Sequence, residues 1–390
     1  MKEKLKNHNW ILFFAMVALI VCGTVAIKSA GNARAQMVFH TMWINNIVTA
    51  LVGFSIYLFL AFSDYRRFLK KYSVPIFICS VALLVAVLVF GTSRLGGKRW
   101  LWFFQPSEVF KICLLSALSY LIGSDSSPLK KFNGKVRGLL LYGLLVGIPL
   151  ILILEEPDLG TALVLCPAVL VMLFIGNICR KLLVSVFLAL CLVASLILGA
   201  VYEAEKPTTT SSRRERILKY VPLQDHQIKR VRVFLFPDAD IHDAGYNLRQ
   251  AKISIGSGGK LGKGIGKAES NHLKYLPQVV SMNDFIFCVW AEETGFVGTS
   301  FLLFLFSLVL LSGVWIAYRA ADSEGQLLAA GISTLIFAHV YINIAMSLGL
   351  VPITGLPLPF ISSGRTFLIV VMALMGLLQS VSVNRARNRI

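Results

Sequence analysis

Ten runs of apolar residues divide the chain, at 10–29, 41–62, 74–92, 107–123, 138–154, 160–178, 182–202, 284–318, 327–350 and 366–383. A helix needs about 20 apolar residues to cross the hydrocarbon of a bilayer. The pattern therefore predicts an all-α, polytopic membrane protein with about ten transmembrane helices, built as a single integral membrane domain over 1–390. The run 284–318 is longer than one crossing requires. Either its first turns stand outside the hydrocarbon, or it breaks near Gly295 and Gly298. Between the seventh and eighth runs lies one large loop, residues 203–283.

That loop carries structure signals of its own. Ser212, with Glu215 three residues on, has the form of a capping box and predicts a helix from Arg213 to Tyr220. Gln227 to Phe236 is a basic and apolar segment, suited to a solvated face or to the membrane surface. Further on, Val351 to Gly364 holds three prolines and two glycines between the last two spans. Regular helix is excluded there, and non-helical backbone at membrane depth needs protein or water around it. The segment is expected to form a rigid re-entrant turn that floors an outward-opening cavity.

Composition sharpens the class. The chain is 56% hydrophobic and 15% charged, with mean hydropathy +0.73, which excludes an ordinary soluble globular protein. Its net charge of +18 suits anionic headgroups and would also attract an anionic substrate. With no compact basic soluble domain, nucleic acid is not an expected partner. The seven cysteines fall in or beside apolar runs without metal-ligand spacing, and read as packing residues. Lys2, Lys4 and Lys6 precede the first run and no small-residue cleavage site follows it, so that run is expected to be retained. Arg66, Arg67, Lys70, Lys71, Lys130, Lys131, Lys135, Arg137, Arg180 and Lys181 all fall on one side of the membrane. By the positive-inside rule both termini are then cytoplasmic and the large loop faces outward.

The outward turns hold the unusual residues. Arg99-Trp100 precedes Gln105-Pro106-Ser107-Glu108, with Lys111 one turn later on the same helix face. Pro106 and Glu108 make a good helix start, and the Glu108–Lys111 pair either neutralises itself or lines a polar cavity. Glu155-Glu156-Pro157-Asp158 reads first as turn chemistry before the sixth span. Asp284 opens the eighth span, where an acid is favoured for helix stability alone, yet Glu292 and Glu293 lie further along the same apolar helix. The two glutamates face different sides, so at least one must meet protein or water, with Lys111 or an arginine as its partner. His339 and Asn343 share one face of the ninth span and are placed to hydrogen-bond across helices. The glycine-rich run Ile255 to Gly266 lacks the ending of a nucleotide loop.

Taken together these segments resemble the SEDS family (shape, elongation, division and sporulation). The resemblance rests on Arg99-Trp100, Gln105 to Glu108 with Lys111, Pro157-Asp158-Leu159-Gly160-Thr161-Ala162, and Gly245-Tyr246-Asn247 with Gln250. It continues through Ile255-Gly256-Ser257-Gly258-Gly259, Leu276-Pro277, Asp284-Phe285-Ile286-Phe287, Ala291-Glu292-Glu293 and Gly349 to Gly364. Tyr246-Asn247 and Ala251-Lys252-Ile253 resemble the rod-shape branch more than the division branch. The chain departs from the family pattern at Gln278, at the longer spacer Val279 to Asn283, at Ser363-Gly364-Arg365-Thr366, and at Glu156, where Gln is common.

The resemblance implies ten spans and a peptidoglycan glycosyltransferase that polymerises lipid II at the outer face of the cytoplasmic membrane. It also implies a class B penicillin-binding protein as partner, and maps the family's essential aspartate onto Asp284. The expected substrate contacts are Arg99, Trp100, Glu108, Lys111, Asp158, Gln250, Ser257, His272, Glu292 and Ser362. A divalent cation, Mg or Mn, is the one cofactor that a departing pyrophosphate would use, and the sequence assigns it no ligands. Two rivals stay open on the residues alone: a lipid II flippase, and a scaffold for a penicillin-binding protein with no chemistry of its own.

Overall fold

The computed structural model describes residues 2–32, 41–94, 97–101, 104–156, 158–206, 208–221, 223–236, 244–268 and 281–385. Ten helices follow the ten apolar runs: α1 (Trp10–Asn32), α2 (Met42–Phe62), α3 (Tyr65–Phe90), α4 (Pro106–Gly123), α5 (Val136–Glu155), α6 (Leu159–Ile175) and α7 (Arg180–Glu205), then α11 (Ile286–Tyr318), α12 (Ser323–Leu348) and α13 (Arg365–Val383). Among the described residues between α7 and α11 are three shorter helices, α8 (Ser211–Leu218), α9 (Asp225–Leu235) and α10 (Ala244–Ser257). A two-stranded hairpin, β1 (Thr92–Arg94) with β2 (Gly97–Trp100), precedes α4. Among the described residues nine helices are long and apolar enough to cross a membrane, and α6, with 17 residues, is the shorter tenth.

One boundary differs visibly from the apolar pattern. α3 begins at Tyr65 rather than 74, because the Asp64 carboxylate accepts from Arg66 N at 3.1 Å and caps a basic first turn. Hydropathy sees only the hydrocarbon-facing part of such a helix.

The bundle is layered. α4, α12 and α13 are apolar on nearly every side and buried on nearly every side, as a central helix must be. α2, α3, α5 and α7 turn residues such as Leu51, Phe59, Ile78, Ile148 and Leu188 outward, an apolar surface that only lipid covers stably. α7 is the extreme case: only Leu183, Val201 and Ala204 are buried along it. Helices approach closely where one side chain is missing. At Gly376 of α13 a Cβ would stand 2.8 Å from the Tyr57 carbonyl oxygen of α2.

The loop helices are tied back to α7. Glu205, 3% exposed, accepts from Arg214 Nη2 at 2.6 Å and pairs with Arg232 Nε at 3.2 Å, so one carboxylate holds α8 and α9 together. The expected Ser212–Glu215 capping box does not form, since α8 starts at Ser211 after Thr210 and has no side-chain cap. At α9 the Gln227 side chain instead accepts from Gln224 N at 3.1 Å. Ile228 and Val231 of α9 pack with Val201 and Val221, so the apolar face read from Gln227 to Phe236 is covered by protein rather than by the membrane surface.

The long eighth helix breaks at Gly295, with φ 64° and ψ −161°, a conformation that essentially only glycine adopts. The glycine-rich run fills the break. Lys263 N and Gly264 N donate to the Glu292 and Glu293 carbonyls, each at 3.0 Å. In return Phe296 N and Val297 N donate to Gly259 O and Lys260 O at 2.9 and 3.1 Å. The backbone groups that the kink frees are thus satisfied by a neighbouring loop, as the membrane interior requires. The approach is close enough that a Cβ on Gly295 would lie 2.3 Å from Gly262 N.

Gly295→Ala is therefore expected to cost about 2 kcal/mol or more through φ and steric overlap together. Gly256→Ala on α10, where a Cβ meets open space, should be neutral or slightly stabilising. Thermal midpoints of the two purified variants in detergent, followed by fluorescence-detected size exclusion, distinguish them. Equal midpoints would contradict the clamp.

Candidate active site

Asp284 stands in the turn that leads into α11, and its backbone is fixed from two directions. Asn343 of α12 donates through Nδ2 to the Asp284 carbonyl at 2.9 Å and to the Leu356 carbonyl at 2.6 Å. Ser362 Oγ donates to Asn283 O at 2.6 Å and accepts from Leu358 N at 2.8 Å. Ser363 adds bonds to the Asn283 side chain at 2.5 Å and to Met282 O at 3.2 Å. The proline-rich segment 351–364 thus borders the aspartate, and at Gly355 (φ +73°) a Cβ would lie 3.4 Å from Asp284 Oδ2.

Two arginines face this carboxylate from different elements. Arg230, on α9, donates through Nη1 to Thr354 O at 3.1 Å. Arg99, on β2, donates through Nε to Glu156 O at 3.1 Å. Asp284 is half-exposed, yet desolvation by the surrounding atoms raises its pKa to about 6, against the pull of Arg230 and then Arg99. Burial and the neighbouring Arg99 lower Arg230, while Asp284 and Asp158 hold it up. Four charged groups therefore sense one another here.

The turn before α6 supplies two more acids in opposite states of satisfaction. Asp158 caps α6, accepting from Thr161 N at 3.1 Å, and its other oxygen accepts from Ser107 Oγ at 2.9 Å and Gln105 Nε2 at 2.8 Å. Glu156 is fully buried, and neither carboxylate oxygen has a hydrogen-bond partner among the described residues. Burial, and secondly the charge of Asp158, push its pKa to about 8, with Arg99 opposing. A neutral acid is then the stable form at pH 7.

One layer deeper, Lys111 Nζ meets Glu108 Oε1 at 2.9 Å and His339 Nε2 at 3.2 Å, all three buried. The Phe367 ring lies 5.5 Å from the same ammonium. Of the two readings of this pair, the structure shows self-neutralisation inside the bundle. Lys111 is accordingly not the partner of Glu292. That role belongs to Lys263, whose Nζ reaches Glu292 Oε1 at 2.9 Å. Glu293 accepts from Ser29 Oγ and from Gly266 N at 3.2 Å. Both glutamates therefore anchor the kink clamp.

Of the expected contacts, Arg99, Asp158 and Asp284 are brought together, and Ser362 holds the backbone beside them. Glu108 and Lys111 lie beneath this group, and Glu292 lies with the clamp. Trp100 is half-buried at the end of β2, where its carbonyl accepts from Thr92 Oγ1 at 3.1 Å. Gln250 is half-buried on α10, whereas Ser257 is exposed at the end of that helix and donates to Ser254 O at 2.9 Å. His272, together with Leu276, Pro277 and Gln278, lies outside the described residues. Arg230 was not among the expected residues. Its only signal was a polar side chain beside the apolar positions Ile228 and Val231 on a loop helix.

A ten-helix membrane bundle that presents a half-exposed carboxylate between two arginines is the class of protein defined so far. Comparison with known proteins gives it a family. The FtsW/RodA/SpoVE cell cycle protein family matches residues 9–387, and the chain belongs to it, in keeping with the SEDS resemblance. The peptidoglycan glycosyltransferase MrdB of Escherichia coli K12 is 35% identical over 314 residues, covering 80% of this chain and 77% of that protein. A probable peptidoglycan glycosyltransferase FtsW of Geobacter sulfurreducens is 31% identical, over 97% and 96% of the two chains. A solved chain described under structural coordination of polymerization and crosslinking by a peptidoglycan synthase complex aligns with TM-score 0.74 and 28% identity, covering 98% of this chain and 99% of that one. The relatives include proteins of both the rod-shape and the division type, so the rod-shape branch stays an expectation.

The state of Glu156 has a measurable consequence. Because its folded pKa of about 8 lies above an unfolded value near 4.3, the folded form binds the extra proton, and stability falls as pH rises between those values. Glu156→Gln should raise the thermal midpoint at pH 8 and leave it nearly unchanged at pH 5. A midpoint difference that is the same at both pH values would refute a neutral Glu156.

Proposed function

We propose that the chain is a peptidoglycan glycosyltransferase that polymerises lipid II, with Asp284 as general base. The observation that carries this reading is the Asp284 carboxylate, fixed at the mouth of α11 and facing Arg230 and Arg99, with a pKa of about 6. A base should be ionised at working pH yet retain proton affinity, and that value meets both needs. Asp284 takes the proton of the acceptor sugar hydroxyl while its oxygen attacks the anomeric carbon of the donor. The bond from that carbon to the lipid pyrophosphate breaks, and the pyrophosphate leaves with the electron pair. One displacement with one base inverts the anomeric centre. The leaving group needs positive charge more than a proton, which Arg99 and Arg230 are placed to supply. Lys111 is spent on Glu108 and His339 and has no part in it.

A protein-held divalent cation does not fit the described donor set. No three His, Cys, Asp or Glu side chains gather among the described residues, and the carboxylate is flanked by arginines. The outward position of Asp284, with both termini cytoplasmic, is supported by the basic turns on the opposite side. A class B penicillin-binding protein as partner is supported by the aligned chain of the peptidoglycan synthase complex. Against a flippase reading stands the buried Glu108–Lys111–His339 group, in which the lysine charge is already paired within the bundle. The scaffold reading has no use for a fixed base between arginines.

Purified Asp284→Asn protein given labelled lipid II should form polymer at least about 10²-fold more slowly, with its thermal midpoint retained. Polymer at the normal rate would remove the base assignment, and translocation without new glycosidic bonds would favour the flippase. Since the base works only when ionised, wild-type activity should fall as pH drops through about 6. Arg230→Gln removes the larger charge holding that value down, so its acid limb should move to higher pH. An unmoved limb would separate Arg230 from the carboxylate.

A further inference from the structure

Two cavities adjoin one another far from Asp284. The first, about 300 Å³, lies between α6 and α7 and is lined by Pro167, Leu170, Phe174, Leu183, Val184 and Phe187. The second, about 380 Å³, lies at the turn joining those helices and is lined by Gly134, Asn177, Cys179, Arg180 and Lys181 with Leu182. They meet where Arg180 stacks over the Phe174 ring, 5.1 Å from its centroid. The two form an apolar groove that ends in a basic pocket. Asp158 caps the start of α6 and this turn follows its end, so the length of a span separates the pocket from the candidate active site.

The turn is a built feature. Ile178 is buried and its N–H donates to Leu173 O at 3.0 Å. Asn177 and Cys179 adopt φ of 57° and 43°, a conformation costly for residues with side chains. Gly176 packs so tightly on Ile122 that a Cβ would stand 2.3 Å away. This geometry presents Arg180 and Lys181 at the membrane edge. Arg180 spends Nε on Phe174 O at 3.2 Å. Its terminal nitrogens, and the exposed Lys181 and Lys135, make no hydrogen bond among the described residues. No acidic residue occurs in 129–137 or 176–182, the two segments that form the pocket.

We propose that groove and pocket together bind one anionic glycerophospholipid, its phosphate held by Arg180 and Lys181 and an acyl chain lying between α6 and α7. The occupant follows from charge and shape. Basic pockets at helix ends favour anionic headgroups, and an apolar groove facing the hydrocarbon takes a chain rather than a peptide, whose backbone would go unsatisfied there. Under the proposed orientation the lipid belongs to the cytoplasmic leaflet. It is a resident lipid, distinct from the substrate handled at the opposite face. Its chain would fill the space beside α7, which has little protein packing of its own.

Native mass spectrometry of the full chain in mild detergent, with phosphatidylglycerol or phosphatidylcholine added, tests this. The wild type should retain one phosphatidylglycerol and bind phosphatidylcholine about tenfold more weakly, and Arg180→Gln with Lys181→Gln should lose that preference by about tenfold. Val184→Trp, at a half-exposed groove position, leaves the charges intact and should also expel the lipid, which covers the case of a double variant that fails to fold. Millimolar inorganic phosphate should not displace the lipid. Equal retention of both lipids, displacement by phosphate, unchanged retention in Val184→Trp, or a lipid pyrophosphate held in place of phosphatidylglycerol would each overturn the proposal.

Discussion

Main chain that leaves helical form inside a membrane must find hydrogen-bond partners within the protein. In this molecule that requirement is met twice, and the site exists because of it. At Gly295 the peptide groups freed by the break bond to residues 259–264. Between α12 and α13 the proline-rich stretch is held by Asn343, Ser362 and Arg230, each of which bonds its carbonyls or amides directly. Asp284 lies between these two irregular regions. Its position is therefore set by backbone bonds reaching in from distant parts of the sequence, and less by the capping rules of its own helix.

The electrostatics follow from the same architecture. Asp158 and Glu156 are two residues apart, yet Asp158 has three hydrogen-bond donors while Glu156 has none among the described residues. Asp284 falls between these extremes, partly desolvated but faced by two guanidinium groups. Three carboxyl groups in one neighbourhood thus take three characters: a structural cap, a neutral acid and a partly desolvated carboxylate facing two arginines. A fourth acid, Glu108, has a counter-charge of its own one layer deeper, in Lys111, which also meets His339.

Much of this was legible in the residues. Long apolar runs announce spans because no other environment tolerates them, so all ten helices were readable, and the break near Gly295 was one of the two ways to fit the long eighth run. Of the acidic and basic turn residues singled out, Arg99, Asp158 and Asp284 do come together in the structure. What could not be read was pairing. Lys263 reaches Glu292 across 29 residues, and no local pattern links them, so the glycine-rich run could not be recognised as a clamp. Arg230 was hidden for a related reason: a basic and apolar helix suits a membrane surface equally well until Val201 and Val221 are seen covering it. Ser212 and Glu215 had cap spacing, but the helix starts at Ser211 without a side-chain cap and is tied down by Arg214 on Glu205 instead.

The strip of chain beside Asp284 has a quieter implication. At Gly355 that strip offers main chain alone, with φ +73° and 3.4 Å from the carboxylate to the place a side chain would begin. A wall made of amides keeps its outline while the amino acids behind it drift. Any side chain at Gly355 would therefore stand between this wall and whatever approaches the carboxylate, so access along this edge depends on one residue having no Cβ.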